Sequence, residues 1–129
     1  MKKYANFCKA LRNLHELERF AGEYNTINLT GMASLYGICF EQSWKAMKEI
    51  LERQGFLTEN LGSPRMVLKR AYASGMIANE QLWLDALASR NNVAHSYNEA
   101  VAKKIILDAK EKYLPMFDAL QAEIESKWL

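Results

Sequence analysis

Apolar residues recur every three or four positions along most of this chain, and no segment of useful length alternates with a period of two. That pattern admits helices and almost nothing else. Tyr4, Phe7, Leu11, Leu14 and Leu17 draw one stripe, which predicts a first helix of about twenty residues ending at Gly22 and the polar Asn25-Thr26 step. A second helix is expected to start between Asn28 and Met32 and to run to about Gln54, with Tyr36, Phe40, Trp44, Met47 and Leu51 on its inner face and Gly55 as C-terminal cap. Phe56 to Gly62 reads as a loop.

Ser63-Pro64 is a strong start signal, because Ser accepts from the first free N–H groups and Pro loses nothing at the first helical position. The short third helix should stop at Gly75. Asn79 caps a fourth, with Leu82, Trp83, Ala86 and Leu87 inward, and Asn98 caps a last helix running toward Trp128 through Tyr113, Phe117, Leu120 and Ile124. Pro115 should kink that helix or loosen one hydrogen bond. The expected fold is all-α: an antiparallel up-and-down bundle of four main helices plus one short helix. With 129 residues the chain can bury one core without staples, so a single domain over 1–129 is expected.

The net charge of +2 is too small to announce a nucleic-acid binder by itself, so any RNA contact must come from a local patch or from transient engagement. Cys8 and Cys39 fall inside helical patterns and read as reduced core thiols, with no Cys-x-x-Cys or zinc spacing. No metal or cofactor is expected. Met1-Lys2-Lys3 hints at the start of a signal peptide, but Asn6, Lys9 and Arg12 interrupt the apolar run that should follow. No stretch approaches a membrane span. A soluble, cytoplasmic protein is expected.

The chemistry concentrates in residues 90–97, Arg-Asn-Asn-Val-Ala-His-Ser-Tyr. Arg90 is a permanent cation able to grip a phosphate with two parallel hydrogen bonds. An imidazole ordinarily gives and takes protons near neutral pH, and His95 is one of only two histidines. Tyr97 adds a hydroxyl that can be a nucleophile or a modification target. On one continuous helix five positions rotate roughly 140°, so Arg90 and His95 would not converge. Either the helix breaks between them or a second copy completes the site. A purely structural reading also stands. Arg90 near a helix C-terminus favours the dipole, His95 can be a hydrogen-bonded residue between helices, and Tyr97 can be a packing ring with a wet tip. Phe40, Trp44 and Trp83 read as core rather than as a base-stacking platform. Lys69-Arg70 and Lys103-Lys104 read as solvated faces rather than a basic rim. His15, beside Glu16 and Glu18, lacks the inward Glu-x-x-His pairs of a di-metal bundle.

The spacing Arg-x4-His-x-Tyr, with polar Asn91 after the Arg, resembles the signature of the HEPN superfamily, in its branch of small HepT-like toxins, also called nucleotidyltransferase substrate-binding proteins. The likeness extends through Phe40-Glu41-Gln42-Ser43-Trp44-Lys45, Ser63-Pro64-Arg65, Ala71 to Ile77, Leu82-Trp83-Leu84 and Tyr113-Leu114-Pro115, covering nearly the whole chain. The resemblance implies a homodimer in which two motifs meet in a cleft. It also implies metal-independent RNA cleavage, with Arg90 and His95 catalytic and Asn91 supporting. A small nucleotidyltransferase of the MNT antitoxin type is the implied partner, transferring AMP to Tyr97 and silencing the toxin. The alternative within the same likeness is a non-catalytic substrate-binding subunit of a two-component nucleotidyltransferase. One departure stands out. Many relatives carry an acid just before the Arg, and here the position is Ser89, so an acidic support for Arg90 is expected to be missing.

Overall fold

A computed structural model describes residues 1–21, 23–56 and 62–129. Helix α1 spans Lys2–Leu14 and tightens into a 3-10 turn at His15–Arg19; α2 spans Thr26–Arg53, α3 Pro64–Ala73 and α4 Glu80–Asn91. A second 3-10 turn at Val93–His95 leads to α5, Glu99–Asp108, which passes through a π turn at Ala109–Tyr113 into α6, Leu114–Lys127. Because α5 and α6 form one rod, the molecule has four main helices and the short α3, an all-α bundle with no strand among the described residues. The expected helix end at Gly22 and residues 57–61 of the expected loop lie outside the described residues.

The central helix is α2, packed against α1, α3, α4 and α5, while α6 closes on α1. Its length follows from an uninterrupted stripe: Leu29, Met32, Ala33, Tyr36, Phe40, Met47 and Leu51 are all buried. Four rings form the middle of the core. Tyr36 stacks on Tyr113 at 5.3 Å, Phe117 meets Tyr36 at 6.2 Å and Trp83 edge-on at 5.6 Å. The Tyr36 hydroxyl donates to the Ala86 carbonyl, which satisfies the one polar atom that this ring takes inside. Burial pushes its phenol pKa well above the usual value. Phe40 and Trp83 are core rings and Trp44 is half-buried, as the stripes imply. Burial likewise raises the Cys39 thiol; Cys39 and Cys8 are both free.

Three helix starts lie where sequence places them. Ser63, Asn79 and Asn98 each accept from backbone N–H groups of the following turn. The start of α2 does not. Asn25 does not close the first helix; it caps the second, accepting from the Asn28 N–H at 2.7 Å while the Asn28 side chain accepts from the Asn25 N–H at 3.4 Å. The α-helical part of α1 also stops earlier than expected, at Leu14. Gly55 and Gly75, at φ 77° and 85°, supply the left-handed residues that end α2 and α3.

Pro115 acts one turn upstream of itself. It cannot donate to the Glu111 carbonyl and its ring needs room there, so the chain widens into the π turn just before it. No described helix is long and apolar enough to cross a membrane.

Candidate functional site

Helix α4 ends in Arg90-Asn91-Asn92, and two consecutive asparagines favour a local turn over helix continuation. The Asn92 N–H is shared between the carbonyls of Ala88 and Ser89, at 3.2 and 3.1 Å. His95 N–H then donates to the Asn92 carbonyl at 2.9 Å, Ser96 N–H to Val93 at 3.0 Å and Asn98 N–H to His95 at 3.0 Å. Three short turns in succession hold the segment. Val93 is its anchor, half-buried against the core. It sits directly over α2, where a Cβ placed on Gly37 would lie 3.4 Å from a Val93 methyl.

The helix does break between Arg90 and His95, yet the break groups His95 with Tyr97 and not with Arg90. His95 and Tyr97 come together, their rings 6.3 Å apart and inclined at 70°. Both are exposed, Tyr97 to 82%. Neither is the interhelical or packing residue of the structural reading, and among the described residues neither side chain makes a hydrogen bond. Asn91 is exposed as well.

Arg90 turns elsewhere. Its guanidinium lies over the Phe40 ring, 5.7 Å from the centroid, and its Nη1 is 3.5 Å from Glu41 Oε2. The side chain is 29% exposed, and Nε is buried without a hydrogen-bond partner. Phe40 is itself fixed from below by Trp83, at 6.1 Å. The structure therefore groups His95 with Tyr97 and Arg90 with Glu41. The acid expected to be missing before Arg90 is replaced in space by an acid from another helix. Ser89 is used inward, its hydroxyl 3.2 Å from that of Tyr113. Glu41 is the residue that sequence reasoning missed. Its sequence signals are its place in the Phe40–Lys45 segment of the family likeness and an i,i+4 step to Lys45, which makes a 3.6 Å ion pair with its other oxygen.

Three of the four lysine and arginine candidates outside the octad are paired locally. Lys103 pairs with Glu99 at 2.8 Å, Lys104 with Asp108 at 2.9 Å and Lys69 with Glu80 at 4.0 Å, so they are solvated faces. His15 faces Glu18 through Nδ1 and Asp118 of α6 through Nε2, the latter at 2.8 Å, and these carboxylates raise its pKa against the lowering effect of burial. No cluster of three or more metal-ligating side chains occurs among the described residues.

Residues 2–126 match the family described as nucleotidyltransferase substrate binding protein like. The chain belongs to this family. No curated protein matches it by sequence. Among solved structures, the crystal structure of a protein from Thermus thermophilus is similar at 25% identity and a TM-score of 0.75, over 95% of this chain and 98% of that one. Membership in the nucleotidyltransferase substrate binding protein-like family agrees with the likeness drawn from the octad and its flanking segments. It also favours the partner of a nucleotidyltransferase over a free-standing nuclease.

Proposed function

We propose that this chain is the accessory component of a two-component nucleotidyltransferase and that Tyr97 is the hydroxyl it presents to the enzyme. The observation that carries the proposal is Tyr97 itself, held in a hydrogen-bonded turn and 82% exposed. Tyr36 and Tyr113 are buried, so they are closed to a bulky nucleotide. In the reaction the Tyr97 oxygen bonds to the α-phosphorus of ATP as the bond to pyrophosphate breaks, and a base takes the phenolic proton. The product is a tyrosyl-AMP phosphodiester, a new negative charge beside the octad. The test is incubation with the cognate nucleotidyltransferase, ATP and Mg²⁺, followed by tandem mass spectrometry. AMP on Tyr97 is expected. AMP on the half-exposed Tyr72 and none on Tyr97 would remove the assignment.

A second reading, a ribonuclease toxin, is favoured by the exposed and unengaged His95 imidazole. The base removes a proton from a ribose 2′-hydroxyl, that oxygen attacks the adjacent phosphorus, and an acid protonates the leaving 5′-oxygen. Arg90 stabilises the charge on the phosphorane oxygens, with Asn91 donating beside it. Because Arg90 and His95 face different neighbours in one chain, this reading calls for a second copy. The outer face of α2, beside the octad, suits that role. From Asn25 to Phe40 it carries no charge, and Ile27 and Ile38 are 81% and 53% exposed. Ile38→Asp should shift a sedimenting dimer to monomer. RNA cleavage in chelator that His95→Ala abolishes, with helicity intact, supports the nuclease. Equal cleavage by both proteins identifies a contaminant and removes it.

A further inference from the structure

We infer that Glu41 is the positioning residue of an anion site at Arg90, holding the guanidinium in place and tempering its charge so that a bound phosphate group exchanges. The inference rests on the reading that Arg90 receives a phosphate, whether from the nucleotide transferred to Tyr97 or from an RNA strand. Three neighbours define the guanidinium. Phe40 lies beneath it at 5.7 Å and is completely buried, so that face is closed. Glu41 Oε2 sits 3.5 Å from Nη1, an ion-pair separation rather than a short hydrogen bond. Nε is buried and unpartnered. Arg–carboxylate pairs are frequently close and bidentate, with two parallel N–H···O bonds. Here the carboxylate stands off and is divided, its Oε1 drawn toward Lys45 at 3.6 Å. The fork is thus held, and part of its donor capacity remains uncommitted.

A loosely held carboxylate does two things at once. It fixes where the cation points, because an unpaired Arg on the end of α4 would sweep many rotamers. It also competes with any incoming phosphate, because two anions cannot share one guanidinium without repulsion. Removing its charge should therefore tighten ground-state phosphate binding and blur the geometry. An arginine that binds more tightly and orients less well lowers KM and kcat together.

The experiment compares full-length wild type, Glu41→Gln and Glu41→Asp, each checked for helicity. The side-chain Nε–H signal of Arg90 is followed by NMR during titration with inorganic phosphate, then with ATP, then with a 2′-deoxy dinucleotide that cannot be cleaved. Glu41→Gln should shift and broaden the free signal and bind inorganic phosphate several-fold more tightly, and Glu41→Asp should restore wild-type affinity. Comparison of ATP with the dinucleotide tells which source of phosphate the site prefers. An unchanged Arg90 signal and an unchanged phosphate affinity in Glu41→Gln would overturn the inference, as would Gln and Asp variants that behave alike. In an RNA cleavage assay, kcat of Glu41→Gln should fall about tenfold with a lower KM. A wild type that cleaves no RNA while its phosphate response depends on Glu41 upholds the positioning role and removes the ribonuclease reading alone.

Discussion

Two tyrosine clusters in this small bundle do opposite things. Tyr36 and Tyr113 stack at 5.3 Å in the centre, each hydroxyl committed to a neighbour, Ala86 or Ser89. Tyr97 leans toward His95 at the surface, and its hydroxyl has no partner among the described residues. Residue type therefore says little about role; commitment of the polar atom says more. In the core, ring and hydroxyl both serve packing, while in the octad backbone turns hold the chain and the His95 and Tyr97 side chains stay exposed.

The contrast is most easily broken by truncation. Phe117→Ala, beneath Tyr36 and Trp83, should lose about 3–5 kcal/mol in urea unfolding. Tyr97→Ala should stay within about 0.5 kcal/mol of wild type. A Tyr97→Ala protein destabilised as much as Phe117→Ala would erase the distinction between the two regions. A finer probe is Tyr36→Phe, which keeps the ring and deletes one buried hydrogen bond. A loss of about 1 kcal/mol is expected, and a neutral result would mean that the bond to Ala86 contributes nothing net.

The smallest effect belongs to neither cluster and calibrates both. His15 joins the 3-10 turn to α6 through Asp118, and its folded pKa lies above the ordinary histidine value. The folded state therefore binds the proton more tightly than the unfolded chain. The stabilisation is complete below the unfolded pKa of about 6.5 and disappears as pH rises through the higher folded value. With the side chain 38% exposed, solvent screening holds the effect below about 1 kcal/mol. His15→Gln should flatten this part of the stability–pH curve. A wild-type protein that grows more stable across the same interval would contradict the assignment.

Sequence makes the interior of this fold legible and its joints less so. Stripes such as Tyr36, Phe40, Met47 and Leu51 report burial directly, because a helix buries one face at a fixed period. Ser63, Asn79 and Asn98 are readable as caps because each precedes an apolar-periodic run. Asn25 is not, since its reciprocal partner is Asn28 rather than the usual Glu or Gln. The π turn is hidden because Ile105, Ala109, Tyr113 and Phe117, spaced by four, still look helical. In the octad, residue types and spacing name the candidate reacting groups. They cannot place Glu41 beside Arg90, a contact that exists only once α2 crosses the end of α4. Pairings across helices are fixed by packing, which no local pattern encodes.

The widened turn at Ala109–Tyr113 also sets a mechanical boundary. A regular helix transmits twist along its length because each residue is bonded to the one four behind it. Here that ladder is interrupted between the octad end of the rod and its far end at Trp128. The hydrogen-bond pattern therefore changes between the stretch after Asn98 and α6, at the π turn that joins them. The end of the rod that follows the octad and the end that packs on α1 are thus separate α-helical stretches joined by one wider turn.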